Sequence, residues 1–477
     1  MDYELLPKNV TAAGRRVVYS PYDGSQVGSV PTIDTAGVDQ VLTSAQNLFA
    51  NRDQWLPAEQ RIQILKNMAR LMEQHYTVLV NQAVAEGGKP ILDTRIEMDR
   101  AIDGILNCIE CIRNNSGREI PMRINPASAN RIAFTHKEPI GVVVAVSAFN
   151  HPINLIVHQI GPAIASGCPV IIKPAGDTPL SAFALADLFS QAGLPEGWCQ
   201  VVMTTDTPTA EALVTDRRVS FLSFIGSAKV GWMLRSKLTP GARCVLEHGG
   251  AAPVIIAEDA DLGDMLPLLA KGGFYHAGQV CVSVQRVFAH HSIAAEVAER
   301  LAALGNDMQV GDPASEETDI GPLIRHQETK RIEHWVKEAL DEGAELMSGG
   351  KRLADALYSP TVLFNPAGDS KVSKQEIFGP VICVYSYQDM DDAIKRANAV
   401  PYAFQASVAS KNIDTALYAY QRLAAATVMI NDHTAFRVDW MPFAGLKQSG
   451  YGTGGIPYTY EDMQIEKLAV IRSMSLD

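Results

Sequence analysis

From Ile140 onward the chain repeats one pattern, a short all-apolar run followed by an amphipathic segment. The runs are GVVVAVS, PVIIKP, CQVVM, VSFLSFIG and CVLEHGG; between them lie NLIVHQIGPAIASG, PLSAFALADLFSQAG and SAKVGWMLRSKL. A strand that is apolar at every position offers no face to water and must be covered on both sides. Helices inserted between such strands do this for a parallel sheet. The fold class is therefore α/β, and parallel sheets place ligands at the carboxyl ends of their strands. With 477 residues, 47% of them hydrophobic and 20% charged, the chain is long enough for about two to four domains at roughly 150 residues each.

The flanking segments differ in character. VDQVLTSAQNLF, RIQILKNMARLMEQ and IEMDRAIDGILNCIECI, within 38–115, carry apolar residues at helical spacing. REIPMRI and RIAFTHK, within 118–137, read as two strands of a hairpin extension. A second α/β stretch runs from about Ala252 to Met441, with HSIAAEVAERLAAL and ETKRIEHWVKEAL as helices and VICVYSY and ATVMIN as strands. The tail MQIEKLAVI reads as a late strand.

Charge narrows the function classes. Acidic residues outnumber basic ones 53 to 41, for a net charge of −12. An anionic surface with no long Lys/Arg run repels nucleic acid and anionic lipid. The longest apolar stretch, Ile140–Phe149, is about half of what a bilayer requires. MDYELLPKNV has no basic start followed by an apolar core, so no leader is expected. Seven scattered cysteines fit a reduced, cytoplasmic setting.

Several residues can carry chemistry. Cys281, in GGFYHAGQVCVS, follows Gly278-Gln279-Val280, where a glycine lets the backbone present a side chain into a cleft. A lone cysteine is most often a small buried hydrophobe; as a nucleophile it must become a thiolate. Glu247 ends an apolar run in CVLEHGG and is a general base for water or, about twenty residues beyond the FIGSAKVG turn, a ribose-binding acid. Asn150 closes a run in AVSAFNHP, where its amide can donate to an oxyanion or simply make a turn. FIGSAKVG is strand, glycine, helix, a place for a pyrophosphate; Ala228 and Trp232-Met233 exclude a full dinucleotide fingerprint and a Walker loop. Lys173 in IIKPAGDTP can reach a ribose or phosphate, and Glu376 in KQEIFGP stands beside an aromatic. Cys108 and Cys111 have CxxC spacing, but on a helix they are core packing. No histidine spacing fits a metal site, and none is expected.

Together these segments resemble the aldehyde dehydrogenase superfamily, in its order, across roughly 20–470. AFNHP is similar to its oxyanion motif and implies Asn150. IIKPAGDTPLSA resembles its adenosine-ribose motif, implying Lys173, Ala175 and Gly176. FIGSAKVG resembles its pyrophosphate turn, implying Gly226, Ser227 and Val230. LEHGG implies Glu247 as general base, and GQVC implies Cys281 as nucleophile. EIFGP implies Glu376 and Phe378 at the nicotinamide ribose, and PFAGLKQSGYG resembles the late glycine-rich segment. The implied fold is a Rossmann-type parallel-sheet cofactor domain (1–118 and 137–248), an α/β catalytic domain (249–442) and a β bridging extension (119–136 and 457–473). The resemblance also implies a homodimer or homotetramer, the tail strand adding to a neighbour's sheet.

The implied reaction is oxidation of a small aldehyde to its acid through a cysteine thiohemiacetal and thioester, with NAD as cofactor and NADP possible. Gly176 stands where many NAD-preferring members carry a glutamate, while the adjacent Asp177 favours NAD. His248 replaces a commonly apolar residue. Arg100, His151 and Arg437 are expected to bind substrate and favour an anionic aldehyde such as phosphonoacetaldehyde. NDHTAFRVDWMPFAG is similar to the lactaldehyde and phosphonoacetaldehyde dehydrogenase branch. Val280, where some relatives acting on phosphorylated aldehydes place an arginine, points instead to lactaldehyde or another small neutral aldehyde. A CoA-acylating dehydrogenase would typically lack Glu247, and a non-catalytic scaffold would not need Cys281, Glu247 and Asn150 together.

Overall fold

The computed structural model describes residues 1–4 and 10–476, so half of the MDYELLPKNV start lies outside the described residues. Strands β1 (Gly14–Tyr19) and β2 (Gln26–Ile33) form an antiparallel hairpin. Helices α1 (Thr35–Ala50), α2 (Ala58–Gln74), α3 (Tyr76–Gly87) and α4 (Ile91–Arg113) follow. Asp34 starts α1 by accepting the Gly37 N–H, and Val38, Val41, Leu42 and Ala45 form its buried stripe. On α4 the Cys108 thiol lies where the helix crosses Gly161, and neither it nor Cys111 is in a disulfide.

Short β3 (Glu119–Ile120) and nine-residue β4 (Arg131–Pro139) pair antiparallel. The first strand expected in REIPMRI is thus cut to two residues, because Pro121 has no N–H for a ladder.

The repeating segment then gives β5 (Val142–Val146), α5 (Asn154–Ser166), β6 (Val170–Lys173), α6 (Leu180–Gln191), β7 (Cys199–Val201), β8 (Met203–Thr204), α7 (Thr207–Thr215), β9 (Val219–Ile225), α8 (Ala228–Ser236) and β10 (Arg243–Glu247). Five of these strands form a parallel sheet in the order β10-β9-β5-β6-β7, with Gly450–Tyr451 added antiparallel at the β10 edge. Val142 to Ala145 and Val170 to Ile172 are fully buried, as all-apolar strands require. Every residue of α5 is buried too, which explains its lack of a polar face. The strand order reverses between β5 and β9, the switch point where a crevice opens above a doubly wound sheet.

A seven-stranded sheet lies beyond, in the order 345–348, 361–364, 381–387, 284–290, 252–256, 405–409 and 427–430, parallel except for its first pair. The tail strand Gln464–Arg472 pairs along its whole length with β4 of the same chain, Gln464 opposite Pro139 and Arg472 opposite Arg131. One edge of that strand is therefore filled within the chain, and among the described residues its other edge is open. Among the described residues no helix is long and apolar enough to cross a membrane.

Candidate active site

A cavity of about 600 Å³ lies above the switch point and beside the second sheet. Of the residues singled out from sequence, Cys281, Glu247, Asn150, Ala175, Gly226, Ser227, Val230, Glu376, Phe378, Arg100, His151 and Arg437 line it, and Lys173 and Gly176 do not.

Cys281 is delivered by a strained approach. His276, Ala277 and Gly278 have φ of 50°, 53° and 68°, three consecutive residues in the left-handed region. Gly278 is required there, since a Cβ would overlap the Gly379 carbonyl. Gln279 fastens this turn: its amide donates to the His276 and Pro322 carbonyls, and its oxygen accepts the Ile324 N–H. The thiol then stands 3.8 Å from Oε1 of Glu247, at the end of β10. Burial raises the carboxyl of Glu247 above its ordinary range, against the pull of Arg437 3.9 Å away. Burial, and then the Glu247 charge, push the Cys281 thiol well up, so it rests protonated. The Asn150 amide donates to the Gln279 carbonyl at 2.8 Å, which ties the segment after β5 to the turn that carries Cys281.

On the other side of the crevice, α8 begins after Ser227 with no side-chain cap, so its first N–H groups have no side-chain acceptor at a helix start that lines the cavity. His248 here finds its explanation. Its Nδ1 lies 2.8 Å from the Gly226 carbonyl, and its ring sits between Phe224 and Trp232. Gly231 leaves room for that ring, which a Cβ would overlap. Glu376 accepts the Gly250 N–H at 3.1 Å and is pushed up to about 7 by burial. Phe378, with φ of 48°, meets Phe149 edge-on. Lys173, pushed down to about 8 by burial and then by Arg16, donates to the Pro174 carbonyl.

The far end of the cavity is built on a residue the sequence reading passed over. Asp439 is buried and accepts two hydrogen bonds from Arg100, at 2.7 and 3.1 Å. It also accepts from Asn154 at 3.1 Å and from Nε2 of His158 at 2.6 Å. Burial alone would raise its carboxyl; the His158 bond and Arg100 outweigh it and hold it far below the usual range. With its proton on Nε2, His158 has a free lone pair on Nδ1, and Arg437 donates to it at 3.3 Å. His158 stays neutral, lowered to about 4 by burial and Arg437. Arg437 lies flat on Phe443 at 3.5 Å, and its buried Nε has no partner.

His151 is the ionisable member of the expected substrate-binding trio, and its surroundings keep it uncharged. Burial, with Lys89, His276 and both arginines around it, lowers its pKa far enough to keep it neutral. Its Nε2 meets the Tyr275 hydroxyl at 3.3 Å. A second unforeseen pair, Lys89 and Glu97, is buried below it. Glu97 accepts the N–H groups of Ile153 and Asn154 at 2.8 and 2.9 Å, fixing the start of α5 just after Asn150.

Comparison with known proteins settles the family. The profile of the Aldehyde dehydrogenase family matches residues 10–468. The chain belongs to this family. It is similar to the 3-sulfolactaldehyde dehydrogenase of Priestia aryabhattai, 37% identical over 97% of this chain and 96% of that relative. It superimposes on aldehyde dehydrogenase 21 of Physcomitrella patens, solved in complex with the reaction product succinate, with a TM-score of 0.94, 33% identity and coverage of 99% and 98% of the two chains. Glyceraldehyde-3-phosphate dehydrogenase GapN of Methanocaldococcus jannaschii, complexed with NADP, gives a TM-score of 0.91 at 32% identity, over 96% of this chain and 99% of that one. This aldehyde dehydrogenase is thus an NAD(P)-dependent oxidoreductase acting on the aldehyde group. Its crevice fits such a coenzyme, with the uncapped start of α8 for phosphate and the buried, backbone-anchored Glu376 beside Phe378 near the thiol.

Proposed function

We propose that the enzyme oxidises a small anionic aldehyde to its carboxylic acid, with Cys281 as nucleophile, Glu247 as base and Asn150 as oxyanion donor. The Glu247 carboxylate takes the thiol proton across 3.8 Å as sulfur attacks the aldehyde carbon. The alkoxide that forms is met by the Asn150 amide, whose second N–H is free of the Gln279 carbonyl, and by a backbone N–H near Cys281. Glu376 and Phe378 would hold a nicotinamide, which when bound would supply the hydride acceptor for oxidising the Cys281 adduct to a thioester. After passing the thiol's proton to solvent, Glu247 removes a proton from water as the water attacks the thioester carbon; the sulfur leaves as thiolate and takes that proton back, releasing the acid. Residues 1–118 and 137–248 are assigned to the coenzyme, with Lys173 at the adenosine ribose, and 249–442 to the nucleophile.

Substrate charge follows from one observation: Arg437 is buried at the cavity wall with an unpartnered Nε. Arg100 pairs directly with Asp439, whereas Arg437 reaches Asp439 only through His158 and Glu247 only at 3.9 Å. Arg437 is therefore the less fully paired of the two cations, and a sulfonate, phosphonate or carboxylate on the substrate supplies it with a close partner. The named activity of the Priestia relative and the succinate held by the Physcomitrella enzyme support this charge. Val280 is no obstacle, because it packs with Val282, Phe404 and Phe443 and the cation reaches the cavity from position 437 instead.

Initial rates with 3-sulfolactaldehyde, phosphonoacetaldehyde and succinic semialdehyde, against propanal and lactaldehyde, test the reading. At least one anionic aldehyde is expected to exceed both neutral ones in kcat/KM by about tenfold or more, the scale of one charged hydrogen bond. Parity would return the enzyme to a lactaldehyde or general small-aldehyde dehydrogenase, and a CoA-dependent thioester product would make it CoA-acylating. We also assign a cytoplasmic homodimer or homotetramer. The open edge of the tail strand and the exposed Phe134, Leu468, Val470 and Ile471 around it support self-association.

A further inference from the structure

NAD and NADP differ by one phosphate, on the 2′-oxygen of the adenosine ribose, so a protein chooses between them with the few groups around that atom. In a parallel βαβ unit those groups stand at the carboxyl end of the second strand, where an acid holds the ribose hydroxyls or an arginine accepts the phosphate. In this chain the unit is β5-α5-β6, and β6 ends in Lys173-Pro174-Ala175-Gly176-Asp177.

Three observations meet at this strand end. First, position 176 has no side chain, and the space a side chain would take is filled by Arg16, reaching across from β1. The Arg16 Nε donates to the Gly176 carbonyl at 2.6 Å, and a Cβ on Gly176 would lie 2.8 Å from Nη2. Second, Arg16 is exposed and enters none of the ion pairs among the described residues, whereas its neighbour Arg15 pairs with Asp2 and Glu4. Third, the acid that would oppose a phosphate, Asp177, is already engaged by Arg325. Lys173 lies close enough to Arg16 for each to feel the other's charge. The strand end is thus left with Arg16, which has no carboxylate partner, and Lys173, which feels the charge of Asp177 without pairing with it, while Asp177 itself is paired with Arg325.

We propose that Arg16 and Lys173 form a subsite for a 2′-phosphate, with Arg16 the specificity-determining residue that makes the enzyme prefer NADP to NAD. The adjacent Asp177, which on sequence alone favours NAD, is removed from the competition by Arg325. A phosphate at this point bonds a planar guanidinium already oriented by the Gly176 carbonyl. The proposal rests on the assignment of this strand end to the adenosine half of the coenzyme.

Equilibrium binding tests it without turnover. NADP+, NAD+ and the fragments 2′,5′-ADP and 5′-AMP are titrated calorimetrically against the parent protein, Arg16→Ala, Arg16→Lys and Gly176→Glu. The parent is expected to bind 2′,5′-ADP about tenfold or more tighter than 5′-AMP. Arg16→Ala should weaken NADP+ and 2′,5′-ADP by roughly tenfold to a hundredfold, the scale of one charge-assisted hydrogen bond. It should leave NAD+ and 5′-AMP within about twofold, because neither reaches the guanidinium with a phosphate. Arg16→Lys should recover part of the loss, and Gly176→Glu should reverse the preference by displacing Arg16. Because Arg16 is exposed, an unchanged melting temperature is expected for its variants. Equal losses for both coenzymes, or no loss for either, would overturn the role of Arg16. A parent that binds both coenzymes but neither adenosine fragment would overturn the placement of adenosine at this strand end instead.

Discussion

The two ends of the cavity are built differently. At the proposed reaction end, Asn150 follows β5 and Glu247 ends β10, two parallel strands with β9 between them, and Cys281 is delivered by one strained turn. Each group there does its own work, and the bonds between them are few: one from Asn150 to a backbone carbonyl and a long one from thiol to carboxylate. At the anion end no group acts alone. Arg100 comes from α4, His158 from α5, and Arg437 and Asp439 from a loop more than three hundred residues beyond α4, joined in one hydrogen-bonded chain. A reaction centre needs groups free to change protonation. A recognition centre needs charges that are held still, and a buried carboxylate with four donors supplies that.

The largest effects should come from the reaction end. Cys281→Ala is expected to abolish aldehyde oxidation while coenzyme titrations stay close to the parent's. Near-normal turnover in that variant would overturn the mechanism. Glu247→Gln should lower steady-state turnover by about 10²–10⁴-fold, the range for loss of a general base. Acid trapping should then reveal thioester on the enzyme if hydrolysis has become limiting. The pH profile adds a finer check. In the proposed mechanism Glu247 works deprotonated and burial raises it, so kcat should fall as pH drops through a value above the ordinary carboxylate range. Arg437→Met removes the opposing pull and should move that acid limb to higher pH. An unmoved limb would detach Arg437 from the base.

Much of the reaction end was legible in the sequence because each residue sits at a feature with a local signature: an apolar run that stops, a proline, a paired glycine. The same local logic gave the parallel sheet. It failed where the cause was distant. The Arg-x-Asp spacing of Arg437 and Asp439 is visible in FRVDWM, but the carboxylate's meaning depends on Arg100, 339 residues away in sequence. His158 read as one apolar-helix position among many, since nothing nearby shows that its ring links two arginines. The sense of Gly176 was half readable: a missing glutamate is a sequence fact, but the guanidinium that fills its place comes from β1. The tail strand was found, yet its partner in the same chain, β4, is settled by packing and not by pattern.

The anion end should give intermediate effects that separate selectivity from folding. Arg437→Met is expected to cost roughly 1–3 kcal/mol in kcat/KM for the anionic aldehyde, as for a charged hydrogen bond. It should leave propanal within about threefold once the pH is set above the acid limb. Asp439→Asn should also destabilise the protein, by about 1–3 kcal/mol, because it removes the buried carboxylate that pairs with half-buried Arg100. The sign of the pH dependence follows from the depressed carboxyl of Asp439. Its contribution is complete above the ordinary carboxylate range and is lost as pH falls below it. Parent and variant melting curves should therefore converge on acidification. A separation that persists undiminished below that range would show that Asp439 stabilises by packing and not by charge.

The smallest effect should belong to His151, the one member of the expected trio whose surroundings keep it neutral. Its imidazole is surrounded by Lys89, His276, Arg100 and Arg437, so adding a proton would place another positive charge among cations in a buried site. A neutral ring can still bond the Tyr275 hydroxyl and fill space beside Asn150. His151→Phe keeps that volume and should leave the ratio of kcat/KM for anionic over neutral aldehydes within about threefold of the parent's, with no histidine step in that ratio between about pH 5 and 8. If the ratio instead rises on acidification in the parent and the rise disappears in the variant, then His151 protonates when substrate arrives. The anion end would then carry three cations, and its selectivity would be switched by pH and no longer set by the arginines and Asp439 alone.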